Sequence, residues 1–320
     1  MKKIIVFAML AIIASACGDD YGDVDFKEEM RNFVVGISQY SKGINPDFIV
    51  IPQNGQELVT VDGEENSSPH STYLNAIDGV GREDLFFGYD EDDIATPSVD
   101  RNYMLSFLLT CVSNSVSVLV TDYCWTEENM DLSYAQNEAR GFISFAAPNR
   151  ELDIIPEYPI VPYHVNTDDI NTLAEAKNFL YLLNPQNFSS REDFVAAVSQ
   201  TNYDAIIMDY FFEDDEFTPA QIEALKTKAN GGKRLVISYM SIGEAEDYRY
   251  YWQSSWNNDP PDWVEEENPE WEGNYKVRYW DKDWQAIIFG NDNSYLKKIL
   301  DAGFDGVYLD IIDAFEYFED

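Results

Sequence analysis

Acidic and amide side chains follow several β-rich runs of this chain, at the position where each run ends. They are Asn54, Asp122, Asp209, Asp281 and Asp310. Because parallel strands bring their carboxyl ends to one face of a barrel or sheet, we expect these five side chains to converge on a single acidic pocket. Carboxyl groups in such a pocket can transfer protons or bind a ligand. Taken singly, each residue could instead cap a helix or solvate a loop.

The elements that must position these residues are short β-rich runs alternating with helical patterns, which indicates βα units and a parallel sheet. The predicted strands are Phe48–Ile51, Leu85–Tyr89, Val116–Tyr123, Gly141–Ala147, Asn178–Leu183, Ala205–Phe212, Arg234–Met240, Tyr275–Trp280 and Gly306–Asp310. A closed eight-stranded barrel needs one fewer, so we expect one run, with Gly141–Ala147 as the candidate, to be peripheral or to extend a neighbour. The predicted helices are Phe26–Ser41, Thr218–Ala229 and Ser294–Ala302.

Composition limits the possible partners. The 320 residues include 21 Lys and Arg against 59 Asp and Glu, a net charge of −38, which disfavours nucleic acid and anionic lipid surfaces. His70 and His164 lack metal-ligand spacing, and we find no phosphate-binding loop, so neither a metal nor a cofactor is expected. Cys111 and Cys124 could pair or remain apart.

The amino terminus has the pattern of a secretion signal. Lys2 and Lys3 precede the apolar run Ile4–Ile13, and small residues then lead to Cys17. This ending resembles a bacterial lipobox, so we expect a signal peptide over 1–16, lipidation of Cys17, a flexible tether over 17–25 and one domain over 26–320. The protein would lie outside the cytoplasm and contact the membrane through its lipid only, in the outer membrane or at the cell surface. An ordinary signal peptide is the alternative.

The second half of the chain resembles glycoside hydrolase family 114. The resemblance covers most of the chain from about residue 178 to 320, and the segments that carry it are Ser241-Ile242-Gly243-Glu244 within Lys233–Arg249, Tyr279–Asp281, and Tyr308-Leu309-Asp310 within Gly303–Asp313. Members of this family are secreted (β/α)8 TIM barrels, and their described activity is endo-α-1,4-polygalactosaminidase. The resemblance therefore implies an α/β fold of the barrel type and a polysaccharide or oligosaccharide substrate containing amino sugars.

A helix and strand that family members have near their carboxyl terminus lie near the amino terminus of this chain. Family members continue past the strand that corresponds to Gly306–Asp310 into an amphipathic helix and a strand ending in Gln-Asn-Gly-x-Glu-Leu. Here a helix over Phe26–Ser41 and the strand that ends in Gln53-Asn54-Gly55-Gln56-Glu57 supply that element. The order is that of a circular permutant, which closed barrels allow because their first and last strands are neighbours. The alternative is an unrelated front domain.

The resemblance also implies a catalytic pair. Cleavage of a glycosidic bond passes through a positively charged, oxocarbenium-like state and needs a proton on the leaving oxygen. Asp310 would be the nucleophile or charge stabiliser and Glu57 the acid/base. This assignment predicts a retaining mechanism, with the two carboxyl groups about 5 Å apart.

Further residues are expected to contact the substrate. Acidic groups would bind ammonium groups or adjust the field at the acid, and aromatic rings would pack on sugars. The candidates are Asp209, Glu244, Asp313, Tyr239, Trp280, Gln53 and Asn54. Arg249 and Arg278 are expected to pair with carboxylates. Two alternatives remain open: a non-catalytic surface glycan-binding lipoprotein that keeps the barrel, and a barrel hydrolase acting on a neutral glycan.

Overall fold

The computed structural model describes residues 21–319. The expected signal peptide, Cys17 and the first part of the expected tether lie outside the described residues. Within residues 21–319, no helix is both long and apolar enough to cross a membrane.

Helices and strands alternate along most of the described chain. The helices are α1 (Phe26–Ile44), α2 (Ser71–Leu74), α3 (Ser98–Ser113), α4 (Glu127–Glu138), α5 (Arg191–Ser199), α6 (Pro219–Leu225), α7 (Lys282–Ile288), α8 (Tyr295–Ala302) and α9 (Phe315–Glu319). The strands are β1 (Ile49–Pro52), β2 (Gly79–Glu83), β3 (Ser117–Tyr123), β4 (Ile143–Ala147), β5 (Phe179–Leu182), β6 (Ala205–Asp209), β7 (Phe211–Phe212), β8 (Asp215–Glu216), β9 (Leu235–Ser241), β10 (Glu244–Glu246), β11 (Val264–Glu267), β12 (Asn274–Val277) and β13 (Gly306–Asp310).

Eight of these strands form two parallel sheets. The larger has the order β1-β13-β9-β6-β5 and the smaller the order β2-β3-β4. At one margin the sheets are joined by a parallel bridge between Gln53 and Gly81. At the other margin, Phe145 of β4 packs on Phe179 of β5 with ring centroids 5.7 Å apart. The front of the chain thus shares a sheet with the back, because β1 pairs in parallel with β13.

The strands of the larger sheet are apolar runs buried almost throughout, as expected for parallel strands covered on both faces. The residues expected to begin and end two of the helices also do so. Thr218 caps α6, with Pro219 at its first turn, and Gly303 ends α8 in the left-handed conformation with φ of 86°. Cys111 and Cys124 are both buried free thiols.

The strand prediction at Leu85–Tyr89 is wrong. The strand is β2, a few residues earlier, and Leu85–Tyr89 forms a loop after it that is buried except at Tyr89. Glycines at positions 79 and 81 hide the β pattern of this strand from a sequence-based reading. Gly81 is required by packing, since a Cβ there would lie 1.9 Å from the hydroxyl oxygen of Tyr308.

The expected peripheral strand is also corrected. Gly141–Ala147 contains β4, which pairs with β3 in the parallel set. Tyr275–Trp280 instead overlaps β12, which pairs in antiparallel fashion with β10 and β11 in a separate ribbon. A short apolar run does not reveal which partner it will pair with, so its sequence could not separate these cases.

Candidate active site

Asp310 ends β13 and Glu83 ends β2, and both side chains point to the interior. Side chains two positions apart share one face of a strand, so Asp310 faces the same way as Tyr308. The Tyr308 hydroxyl lies against Gly81, and Gly81 is two positions before Glu83. The carboxyl ends of β13 and β2 therefore present two acids from opposite sides of β1.

The carboxyl group of Asp310 is poised to hold a proton near neutral pH. Burial is the main reason that its pKa rises from 3.8 to about 7, and the charge of Glu83 raises it further. The Tyr239 hydroxyl donates a hydrogen bond of 2.6 Å to Oδ2 of Asp310, which lowers the pKa in part. The residue nevertheless stays partly exposed, so a substrate can reach it.

The carboxylate of Glu83 is held by three donors. Gln53 Nε2 donates to Oε2 at 2.5 Å, Asn54 Nδ2 donates to the same oxygen at 3.3 Å, and the Tyr123 hydroxyl donates to Oε1. Gln53 is itself fixed, because the hydroxyl of Tyr181 donates to its Oε1 at 2.9 Å. The two amides predicted to contact substrate thus orient an acid.

Sequence reasoning missed Glu83. A polar residue at the carboxyl end of a parallel strand is expected to face the site. With the strand placed at Leu85–Tyr89, Glu83 fell before it. With the strand at Gly79–Glu83, the same rule selects Glu83.

Glu57, the other predicted catalytic acid, lies beyond the strands. It belongs to a 3-10 turn, Gln56–Val59, that follows β1. The Tyr103 hydroxyl donates to its Oε1 at 3.0 Å, and Gln56 Nε2 approaches the same oxygen at 3.4 Å. The second oxygen, Oε2, is buried and has no hydrogen-bond partner.

Asp313 lies close enough to Glu83 and Glu57 for the charge of each to affect its pKa. Burial is the main reason that its pKa rises to about 6; Arg82 lowers the pKa, and the charges of Glu83 and Glu57 raise it. Burial likewise raises the pKa of Glu316 to about 7, with the charges of Asp313 and Glu57 adding to the shift. Glu83, Glu57, Asp313 and Glu316 therefore influence one another through their charges.

Asp209 forms an ion pair with an arginine of the protein. Arg249 donates to both of its carboxylate oxygens, at 2.9 and 2.6 Å, and also to Glu246 at 2.6 Å. Arg278 pairs with Glu265. Both arginines thus pair with carboxylates, as expected, and Asp209 has a bound partner in place of an open carboxylate.

Glu244 and Trp280 have partners of their own. Glu244 is buried and accepts hydrogen bonds from Asn268 Nδ2 at 2.8 Å and Asn274 Nδ2 at 3.3 Å. Burial raises its pKa. Trp280 packs edge-on against Phe318 at 4.7 Å, within an aromatic cluster beside the start of α1. Neither arrangement links these residues to the acids at the strand ends.

The expected convergence of five strand-end residues is wrong for two of them. Asp122 is fully buried and accepts hydrogen bonds from the Phe86 amide at 2.8 Å and the Ser133 hydroxyl at 2.6 Å, so it holds the loop after β2 in place. Asp281 caps α7 by accepting from the Asp283 amide. Both serve the structural roles that such residues have when taken singly.

The arrangement is that of an acid pair at the carboxyl ends of parallel strands, the usual equipment for hydrolysis of a glycosidic bond. Residues 21–319 contain no group of three or more His, Cys, Asp or Glu side chains that could hold a metal ion.

Known protein families and individual relatives resemble parts of this chain. The model of the glycoside-hydrolase family GH114 matches residues 166–320, which include Asp310 but neither Glu57 nor Glu83. An uncharacterized protein of Methanocaldococcus jannaschii is 42% identical over 158 residues, 48% of this chain and 42% of its own length. An uncharacterized protein of Thermotoga maritima is 40% identical over 140 residues, 44% of this chain and 40% of its own length. The chain spans less than half the length of each of these relatives, and the family model covers slightly less than half of this chain.

Proposed function

We propose that this protein is a glycoside hydrolase in which Asp310 donates the proton to the leaving oxygen and Glu83 is its ionised partner. The observation that carries the proposal is the placement of Asp310 and Glu83 at the carboxyl ends of two parallel strands. Burial and the charge of Glu83 raise the pKa of Asp310 to about 7. A carboxyl group that keeps its proton at neutral pH suits the acid role. The family resemblance implies instead that Asp310 is the nucleophile or charge stabiliser and Glu57 the acid/base, and the variants described below distinguish the two assignments.

The proposed architecture is a closed (β/α)8 barrel that is circularly permuted relative to the family order. It is supported by the parallel pairing of β1 with β13 and by contacts between the two parallel sheets at both margins. In that order β5 is the first strand, β13 the fourth, and β1 and β2 the next two. Asp310 and Glu83 then end strands that are separated by a single strand.

The proposed substrate is an α-1,4-linked, galactosamine-containing polysaccharide, cleaved internally with retention of configuration. Its support is the group of interacting acids that comprises Glu83, Asp313 and Glu316, since negative charge there would attract ammonium groups. A retaining mechanism requires that the two catalytic carboxyl groups lie about 5 Å apart. We further propose lipidation at Cys17 and a location outside the cytoplasm; the lipobox-like sequence before Cys17 supports this.

The test is mass spectrometry of defined α-1,4-linked galactosamine oligomers, acetylated and de-acetylated, after incubation with the full chain. Asp310→Asn is the inactive variant. Asp301→Asn is the matched control, since Asp301 is an exposed aspartate that pairs with Lys297. We expect shorter oligomers from the wild type and the control alone. Intact oligomers throughout, with binding retained, would refute catalysis and favour a glycan-binding lipoprotein.

A further inference from the structure

An arginine in the loop after β4 lies over an aromatic ring that contacts one of the two strand-end acids. Arg150 comes shortly after β4, Tyr123 ends β3, and Glu83 ends β2. These three strands are neighbours in the smaller parallel sheet, so their carboxyl ends lie on one face. The Arg150 guanidinium carbon is 4.1 Å from the centroid of the Tyr123 ring, and the Tyr123 hydroxyl donates to Glu83 Oε1. One side chain thus connects Arg150 to Glu83.

The loop that follows β2 fixes the Arg150 guanidinium over this ring. Its Nη2 donates to Asp84 Oδ1 at 2.8 Å and to the Gly88 carbonyl oxygen at 2.6 Å, and its Nε donates to Asp92 Oδ1 at 2.6 Å. Gly88 has φ of 113°, and a Cβ there would lie 2.2 Å from Asp84 Oδ1 and 3.1 Å from Arg150 Nη2. Glycine allows this close approach, so the backbone of the loop is shaped around the arginine.

The charge of Arg150 acts on the Tyr123 hydroxyl. Burial lowers the pKa of the guanidinium, but the hydrogen bonds and charges of Asp84 and Asp92 outweigh that effect and raise it, so the group stays charged. Burial and the charge of Glu83 raise the pKa of Tyr123 well above its usual value, and the charge of Arg150 opposes them. A cation over the ring therefore makes the hydroxyl a stronger hydrogen-bond donor, while the proton stays on the tyrosine.

Tyr123 is placed to transmit this effect and not to bind substrate itself. Its side chain is only 3% exposed, so the hydroxyl has little freedom to turn away from Glu83. The other donors to Glu83 are the amides of Gln53 and Asn54, which come from the end of β1 on the opposite side. Tyr123 is the donor that has Arg150 over its ring. The geometry therefore gives Arg150 an indirect route to the Glu83 carboxylate.

We propose that Arg150 is a positioning residue for the cleavage reaction, which acts through Tyr123 by strengthening the hydrogen bond that holds the Glu83 carboxylate in place. The inference rests on the proposed function, because it matters for catalysis only if Glu83 is the ionised partner of Asp310. Arg150 also ties the loop after β4 to the loop after β2, so the position of Glu83 depends on both loops.

The test is a double-mutant cycle on kcat, with the full chain and the de-acetylated α-1,4-linked galactosamine oligomer as substrate. Tyr123→Phe keeps the ring under Arg150 and removes the hydroxyl. It should lower kcat about 10-fold or more and leave KM within about twofold, since hydrogen bonds to charged groups are strong. Arg150→Gln should lower kcat about 3-fold to 10-fold. Added to Tyr123→Phe, it should lower kcat by less than about twofold, because its effect passes through the missing hydroxyl.

Two further variants keep the test decisive. Arg150→Lys retains the cation without the planar group that stacks on the ring, so it should lose less kcat than Arg150→Gln, and it replaces that variant in the cycle if Arg150→Gln fails to fold. Arg140→Gln is the matched control, since the Arg140 guanidinium lies 4.9 Å from the centroid of Phe86, a ring without a hydroxyl in the loop after β2, and it should leave kcat unchanged. Equal losses from the Arg150 change with and without the Tyr123 hydroxyl would mean that Arg150 only holds the loops together, and would overturn the positioning role.

Glu83→Gln separates failure of this inference from failure of the proposed function. If Glu83→Gln is inactive and the Arg150 and Tyr123 effects on kcat are additive, the proposed function stands and the positioning role is refuted. If Glu83→Gln keeps the wild-type kcat, the proposed catalytic pair fails and the positioning role fails with it. A wild type that cleaves no oligomer refutes the proposed function itself. The cycle is then measured on the free energy of unfolding in urea, where non-additive losses would keep the coupling between Arg150 and the Tyr123 hydroxyl and additive losses would refute it.

Discussion

Tyr239→Phe should move the alkaline limit of activity upward. The Tyr239 hydroxyl donates a hydrogen bond of 2.6 Å to Oδ2 of Asp310, and this bond favours the charged form of the carboxyl group. Phenylalanine has the same ring without the hydroxyl, so the change removes the donor and leaves the packing intact. The pKa of Asp310, about 7 in the wild type, should therefore rise.

The size of the shift follows from the strength of the bond. Hydrogen bonds to charged groups contribute about 1.5–3 kcal/mol, and one pKa unit corresponds to about 1.4 kcal/mol, so the expected rise is roughly 1–2 units. The groups facing Asp310 that set its starting value are Glu83 of β2 and Asp313 of the following turn, and both raise its pKa. Neither is changed in Tyr239→Phe.

The assay is the pH dependence of kcat/KM, which reports the ionisation of the free enzyme. A general acid works only while protonated, so the rate falls as pH rises through its pKa. The alkaline limb of Tyr239→Phe should lie about 1–2 pH units above that of the wild type. An unchanged alkaline limb, or a shift to lower pH, would refute the assignment of Asp310 as the acid.

Three further predictions concern stability, measured by thermal or urea unfolding. Asp310→Asn should raise Tm more at about pH 8 than at about pH 5. The raised pKa of Asp310 makes wild-type stability fall as pH rises between 3.8 and about 7, and asparagine does not titrate. An equal effect at both pH values would contradict this. Arg249→Met should cost about 3–5 kcal/mol, since it leaves the carboxylates of Asp209 and Glu246 unpaired; a loss below about 1 kcal/mol would argue against the network. Tyr308→Phe removes a buried hydroxyl without a hydrogen-bond partner and should leave the free energy of unfolding unchanged or raise it by about 1 kcal/mol, with a clear loss as the contrary result.

The sequence predicts a strand or a site residue correctly where neighbouring residues in the chain determine it. The strand Gly306–Asp310 was placed correctly because its apolar run and the helix before it, closed by Gly303, are local signals. The rule that strand-end residues face the site then selected Asp310. The same rule failed for Glu83, because the fit of Gly81 against the Tyr308 hydroxyl depends on a distant strand.

The partners of the other acids are likewise distant in sequence. Asp209 is neutralised by Arg249, which lies 40 positions later. Glu57 meets Tyr103 of α3, 46 positions away. No local pattern reveals these pairings, so the sequence could name acids near the site but could not separate those held by the protein from those left open to a substrate.

The most direct test of the central claim compares kcat for Glu83→Gln and Glu57→Gln with that of Asp310→Asn on the de-acetylated oligomer. If Glu83 and Asp310 form the catalytic pair, both of their variants should lose about 100-fold to 10,000-fold in kcat. Glu57→Gln should keep kcat within about tenfold, because Glu57 lies in the turn beyond β1 and not at a strand end. The opposite pattern, with Glu57→Gln as inactive as Asp310→Asn and Glu83→Gln active, would contradict the account and restore Glu57 as the catalytic partner.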